Sequence, residues 1–274
     1  MAFSYLELGT ISVIKMPLLQ QPYERPMTMK QAGYLIIADI SGYTQFIKIH
    51  NMRKAPIFGE KMAQKWESHA EHIITELLET VIDSFDGTLI LNKLEGDAAF
   101  FFAVEDGSAQ QADKILKCMD AAMRAFSQKL ADIVFIQSCP CDPCQQSKNL
   151  KLKIFAHKGT YEIKKIRQFE ERAGESVILI HRIIKKNTLP SREYWLATES
   201  FFATVSDTEK FQFGTIRQKV DDFGTVNLKY INFASDGTDS QSNGQKSGMF
   251  GLIKMLTYFK SGKVRTSLTD RHPE

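Results

Sequence analysis

The stretch Tyr34-Leu35-Ile36-Ile37-Ala38-Asp39-Ile40-Ser41-Gly42-Tyr43-Thr44 decides how the rest of the chain is read. Residues 34–38 are a short apolar run, which predicts a buried strand. Asp39 follows directly, and Gly42 allows the backbone to come close to a ligand. A carboxylate at a strand's end, beside a glycine turn, is well placed to hold a cation against a phosphate. Taken alone, an aspartate here is more simply a helix cap.

Downstream, Trp66, Ala70, Ile73, Ile74, Leu77, Leu78, Val81, Ile82 and Phe85 recur at three- and four-residue steps, predicting an amphipathic helix over 57–85. Asp86-Gly87 ends it in a turn. Two strands follow, 88–94 and 98–104, with Glu95-Gly96-Asp97 between them, so they form a hairpin. Asp97 at its tip is, singly, a turn residue. If strand 34–38 packs beside this hairpin, Asp39 and Asp97 converge. Two carboxylates on adjacent strand ends suit Mg²⁺ or Mn²⁺, with phosphates and water as the other ligands.

A second amphipathic helix spans about 109–130, with Ile115, Leu116, Met119, Met123, Phe126 and Leu130 inward. After it, the pattern predicts strands at 150–157 and 160–167, and a helix over 174–187. Further strands fall near 193–197, 212–219 and 225–233. Helices alternating with a mainly antiparallel sheet indicate an α+β sandwich of the ferredoxin-like kind. Residues 1–30 read as a loose leader broken by Pro17, Pro22 and Pro26. The main domain is 31–234, and the Ser/Gly/Asn/Gln-rich run 235–248 is a flexible linker. The tail, 249–274, carries Met249, Leu252, Ile253, Leu256 and Phe259 at helical spacing with Lys254, Lys260, Lys263 and Arg265. It suits contact with acidic lipid, with a partner, or with its own domain.

Of 274 residues, 43% are hydrophobic and 24% charged, with a net charge of +3. That supports one sizeable core and hardly two full domains. Lys and Arg are mixed with Asp and Glu, so no basic stripe indicates a nucleic-acid partner. No apolar run is long enough for a transmembrane helix, and the N-terminus lacks a signal-peptide pattern. The expected compartment is the cytoplasm.

Ile37-Ala38-Asp39-Ile40-Ser41-Gly42-Tyr43-Thr44 resembles the F-x-D-I-x-G-F-T signature of class III adenylate and guanylate cyclases. Lys93-Leu94-Glu95-Gly96-Asp97 resembles that family's K-x-I-G-D hairpin, and residues 174–182, G-E-S-V-I-L-I-H-R, resemble part of its W-G-x-x-V-N-x-A-x-R helix. Residues 152–159, L-K-I-F-A-H-K-G, resemble the strand upstream of that helix. The likeness covers roughly residues 33–233. It implies a purine nucleotide cyclase, a lyase of signal transduction, that makes a 3′,5′-cyclic nucleotide from ATP, or from GTP. Two Mg²⁺ or Mn²⁺ ions per site would be held by Asp39 and Asp97, with the Ile40 backbone nearby. Lys93 would meet the purine, Glu171 would read the adenine amino group, and Arg182 would stabilise the transferring phosphate. The resemblance also implies a homodimer, with metals on one subunit and the base-reading residues and arginine on the other.

The family's ribose-positioning asparagine is Ile178 here, and its phosphate-gripping lysine on a late strand has no counterpart in register near 219–224. Lys219 is close, but Asp221 and Asp222 add the opposite charge. Losing one preorganised donor costs roughly 100- to 1000-fold in rate. The pattern is therefore similar to a divergent bacterial cyclase-like family of unknown function. Two further readings are a non-catalytic nucleotide-binding module and another metal-dependent phosphoryl chemistry. Separately, Cys139, Cys141 and Cys144 place three thiols in six residues. They would suit zinc given a fourth ligand from Cys118, His157 or His181, and otherwise form a thiol-bearing loop.

Overall fold

Alternation along one strand sets the layering of the domain. Strand β1 (Met29–Ser41) is buried on both faces in its centre. Successive strand residues face opposite ways. Tyr34, Ile36, Ala38 and Ile40 therefore join one apolar cluster, and Leu35 and Ile37 join another. These contacts come from a computed structural model, which describes residues 29–44, 46, 59–136, 147–186, 189, 193–208 and 211–233.

Helices α1 (Gly59–Phe85) and α2 (Gln111–Ile136) cover the first face. The stripes read from the sequence do the packing: Ile73, Leu77, Val81 and Phe85 from α1, and Ile115, Met119, Met123 and Phe126 from α2, are all at most 3% exposed. Burying each such side chain contributes about 1.5–3 kcal/mol. The second face is covered by α3 (Glu175–Lys185) through Ile180 and Ile183.

Between the two layers lies an eight-stranded sheet. It contains β1 with β2 (Ile90–Glu95), β3 (Ala98–Val104), β4 (Lys151–Ile166), β5 (Phe169–Ala173), β6 (Tyr194–Thr198), β7 (Gly214–Val220) and β8 (Gly224–Asn232), with a short α4 (Glu199–Phe202) after β6. The order is β2-β3-β1-β4-β6-β8-β7, with β5 paired to β4. Among the described residues only β4 and β6 run parallel. The first six elements, βαββαβ in the order β2-β3-β1-β4, make the ferredoxin-like unit. The architecture is an α+β sandwich of a mainly antiparallel sheet with helices.

Three local expectations are corrected. The strands expected at 150–157 and 160–167 are one continuous β4 of 16 residues. Gly159, in the expected gap, sits inside the strand, and Ser176 at the start of α3 packs where its side chain would be. Strand β5, Phe-Glu-Glu-Arg-Ala, carries no apolar alternation and was not expected. Helix α2 runs six residues past its expected end. The leader lies outside the described residues except for Met29 and Lys30, which begin β1. The linker and tail, 235–274, lie outside them too.

Gly159→Ala tests that close approach. The added Cβ would meet Ser176 Oγ and lie 2.7 Å from His157 Nε2, so the buried start of α3 must move. The expected loss is about 1–3 kcal/mol, seen in thermal unfolding. Ser176→Ala should return part of it in the double variant. Additive losses would show that α3 does not rest on this glycine.

Candidate functional site

Asp39 pairs across the ladder with Ala98, and the Ile40 amide donates to the Asp97 carbonyl at 3.1 Å. The two aspartates therefore stand at the same end of adjacent strands. Gly96, at φ 68°, takes the left-handed conformation that lets the Glu95–Ala98 turn close and bring Asp97 round. Burial, and then the charge of Asp97, pushes the Asp39 carboxyl up to about 6, while Lys153 and a Ser41 hydrogen bond act against the rise. Burial raises Asp97 as well. The two partly buried carboxylates repel each other, and Lys153 offsets that charge only in part. All their donor atoms are hard oxygens, a set that fits Mg²⁺ or Mn²⁺.

The register extends this row. Asp39 faces Lys153 on β4, and Lys153 faces Tyr194 on β6. Lys153 is 8% exposed, and its Nζ lies 5.6 Å from the centre of the Tyr194 ring. Burial, then the charge of Asp39, pushes the Tyr194 phenol up to about 12, so it stays neutral. Lys153 was given no role in the sequence reading. Leu152 and Ile154 flank it on one face and the second layer covers the other, so this lysine has no solvent side, which no local pattern in the sequence indicates.

On the same face, Lys93 Nζ donates to Glu171 Oε2 at 3.4 Å and lies 3.3 Å from Glu95 Oε1. Burial works against the Lys93 charge, but bonds to Glu95 and Glu171 outweigh it and raise its pKa. Glu95 also meets His181 Nε2 at 3.0 Å, and His181 Nδ1 lies 2.8 Å from the Val177 carbonyl. Lys93 and Glu171, paired in the sequence reading through base recognition, thus touch. Arg182 on α3 pairs with Asp222 at 2.9 Å, at the β7–β8 turn. Both partners are well exposed, so this contact is weak. Ile178 is 50% exposed.

Cys139, Cys141 and Cys144 lie outside the described residues. Of their suggested fourth ligands, Cys118 Sγ donates to Thr88 Oγ1 and His181 is held as above. His157, 7% exposed, lies 2.9 Å from Thr198 Oγ1, and burial pushes it down to about 4, leaving it neutral. Among the described residues no group of three or more His, Cys, Asp or Glu is arranged to hold a metal ion, and no helix is long and apolar enough to cross a membrane.

Residues 74–194 match a family described as a protein of unknown function, DUF2652. The chain is 31% identical over 182 residues to the uncharacterized protein Rv2561/Rv2562 of Mycobacterium tuberculosis (strain ATCC 25618 / H37Rv), covering 66% of this chain and 82% of that one. Solved structures with the same fold include the guanylyl cyclase Cya2, with TM-score 0.55 and 11% identity, covering 76% of this chain and 96% of that one. The adenylyl cyclase CyaB from P. aeruginosa has TM-score 0.50 and 13% identity, with coverage of 77% and 98%.

Proposed function

We propose, from the premise that the chain belongs to the same family as the uncharacterized M. tuberculosis protein Rv2561/Rv2562 and has the class III nucleotide cyclase fold, that it is a divergent purine nucleotide cyclase. Its substrate would be ATP before GTP, its product a 3′,5′-cyclic nucleotide, and its working form a homodimer. The observation that carries this reading is the row Asp97, Asp39, Lys153: two carboxylates and a buried cation at one end of three adjacent strands. Such a row suits a phosphate chain held together with divalent cations.

In the reaction the ribose 3′-oxygen attacks the α-phosphorus and pyrophosphate leaves. Divalent ions, when bound, would supply Lewis acidity to the phosphates and the 3′-hydroxyl. Asp39 and Asp97 would hold them. Lys153 would take the charge of the terminal phosphates, the task of the lysine missing near 219–224. Lys93 would donate to the purine ring and Glu171 would accept from its amino group. Arg182 would meet charge building on the α-phosphate once it leaves Asp222. Exposed Ile166, Phe169 and Ile178, at 59%, 63% and 50%, lie on the elements that carry these residues. They support a second copy covering this face.

A second reading is a nucleotide-binding signalling module without catalysis. The pairing of Arg182 with Asp222, and an isoleucine where a ribose donor is expected, favour it. One assay separates the two: purified protein with ATP or GTP and Mn²⁺, products identified by mass. Cyclic nucleotide with pyrophosphate is the expected result. Metal-dependent nucleotide binding without product selects the module, and no binding of either nucleotide defeats both.

A further inference from the structure

Strands β2 and β5 are not neighbours, since β3, β1 and β4 separate them in the sheet. Four strand spacings would place them about 19 Å apart in a flat sheet. Yet Arg172 Nη1 on β5 donates to Asn92 Oδ1 on β2 at 2.9 Å. Strand β5 therefore folds over the sheet face. Arg172 lies on that face, its guanidinium carbon 3.8 Å from the centre of the Phe102 ring, and its Nη2 is 2.9 Å from Glu170 Oε1. Its side chain is 12% exposed, and its buried Nε has no hydrogen-bond partner. Asn92 is available because the β2–β3 register slips between Leu91 and Lys93, a bulge that takes Asn92 out of the ladder.

Each end of this staple is next in sequence to a member of the candidate base-reading pair. Asn92 precedes Lys93, and Arg172 follows Glu171. The Lys93–Glu171 contact itself is long and exposed, with side chains 39% and 44% accessible, so it holds neither residue in place. The Arg172–Asn92 bond is shorter, more buried and stacked on an aromatic ring.

We propose that Arg172 and Asn92 are positioning residues whose bond across Phe102 sets where Lys93 and Glu171 stand against a purine, and thereby selects adenine over guanine. This rests on the nucleotide reading above. Adenine presents a ring acceptor beside an amino donor, and guanine presents a ring donor beside a carbonyl acceptor. A lysine–glutamate pair satisfies either base, depending on where it stands. Selectivity is then a matter of placement, which the pair cannot supply for itself.

The test measures affinities for ATP, GTP and inorganic tripolyphosphate by calorimetry with Mn²⁺, for the full chain and the variants Asn92→Ala, Asn92→Asp and Arg172→Lys. Asn92→Ala should lower the ATP-to-GTP affinity ratio about 10-fold, the worth of one positioned hydrogen bond. Tripolyphosphate affinity should stay within about twofold, because the phosphate end is held elsewhere. Asn92→Asp keeps an acceptor and should keep the ratio. Arg172→Lys loses the fork and should lower it. An unchanged ratio in Asn92→Ala overturns the proposal, as does a parallel loss for all three ligands, which would mark a purely structural role. Wild type that binds tripolyphosphate without preferring ATP also overturns it, while leaving the metal–phosphate half of the site intact. Wild type that binds none of the three overturns the nucleotide reading and this inference with it.

Discussion

Asp39→Asn should make the metal-free protein more stable at pH 8 and erase the stabilisation that Mn²⁺ confers on wild type. Burial and the neighbouring Asp97 push Asp39 from 3.8 to about 6. The folded protein thus binds this proton more tightly than the unfolded chain does. Below about pH 4 both states are protonated and the burial carries no charge penalty. As pH rises from there through 6, the unfolded chain releases its proton first, and stability falls. A shift of this size corresponds to on the order of 1–3 kcal/mol. The gain from Asp39→Asn should be full at pH 8 and fade towards pH 4, as measured by urea unfolding without metal. Wild type should recover the loss with Mn²⁺, by about 2.7 kcal/mol at 100 times its dissociation constant. A variant less stable than wild type at pH 8, or one that Mn²⁺ still stabilises, would remove Asp39 from any metal site.

The fold was legible where packing imposes a period. Ile73, Leu77 and Val81 can be buried together only on a helix, and Tyr34 to Ala38 only as a strand covered on both sides. The gap expected between 157 and 160 contains Gly159, which here answers to Ser176, a residue 17 positions away that no local pattern brings near. Strand β5 was hidden for a related reason. Glu170, Glu171 and Arg172 look like a solvated run, and only pairing with β4 and closure over Phe102 give them a place.

The candidate site divides along the same line. Asp39 and Asp97 are visible in sequence because each follows a recognisable element: an apolar strand end and a glycine turn. Lys153 and Arg172 occupy polar positions in strands, where charge ordinarily marks the solvent side. Their burial follows from the second layer, α3 and the folded-over β5, which is long-range information. Resemblance brought Lys93 and Glu171 into one pair. It offered nothing for Glu95 and His181, which join them through a carboxylate that stands where the family pattern has an apolar residue.

Lys153→Met should carry the largest kinetic effect outside the metal ligands. Methionine keeps the length and packing of the lysine stem and removes only the charge. If Lys153 takes the terminal phosphates, ATP affinity should fall about 10- to 100-fold and any cyclase rate roughly 100- to 1000-fold. AMP, which has no terminal phosphates, should bind as before. Lys153→Arg should recover part of the loss, since a guanidinium also pairs with phosphate. The competing account makes Lys153 a counter-charge for Asp39, whose pKa it lowers. In that case its removal would push Asp39 higher still, protons would compete better with metal, and ATP and AMP would weaken together as pH falls. The two accounts separate in a double-variant cycle with Asp39→Asn. If the lysine binds phosphate, Lys153→Met should still weaken tripolyphosphate binding when Asp39 is already neutral. If it is a mere counter-charge, Lys153→Met should then have no further effect, and that result would return the grip on the phosphates to the metal ions alone.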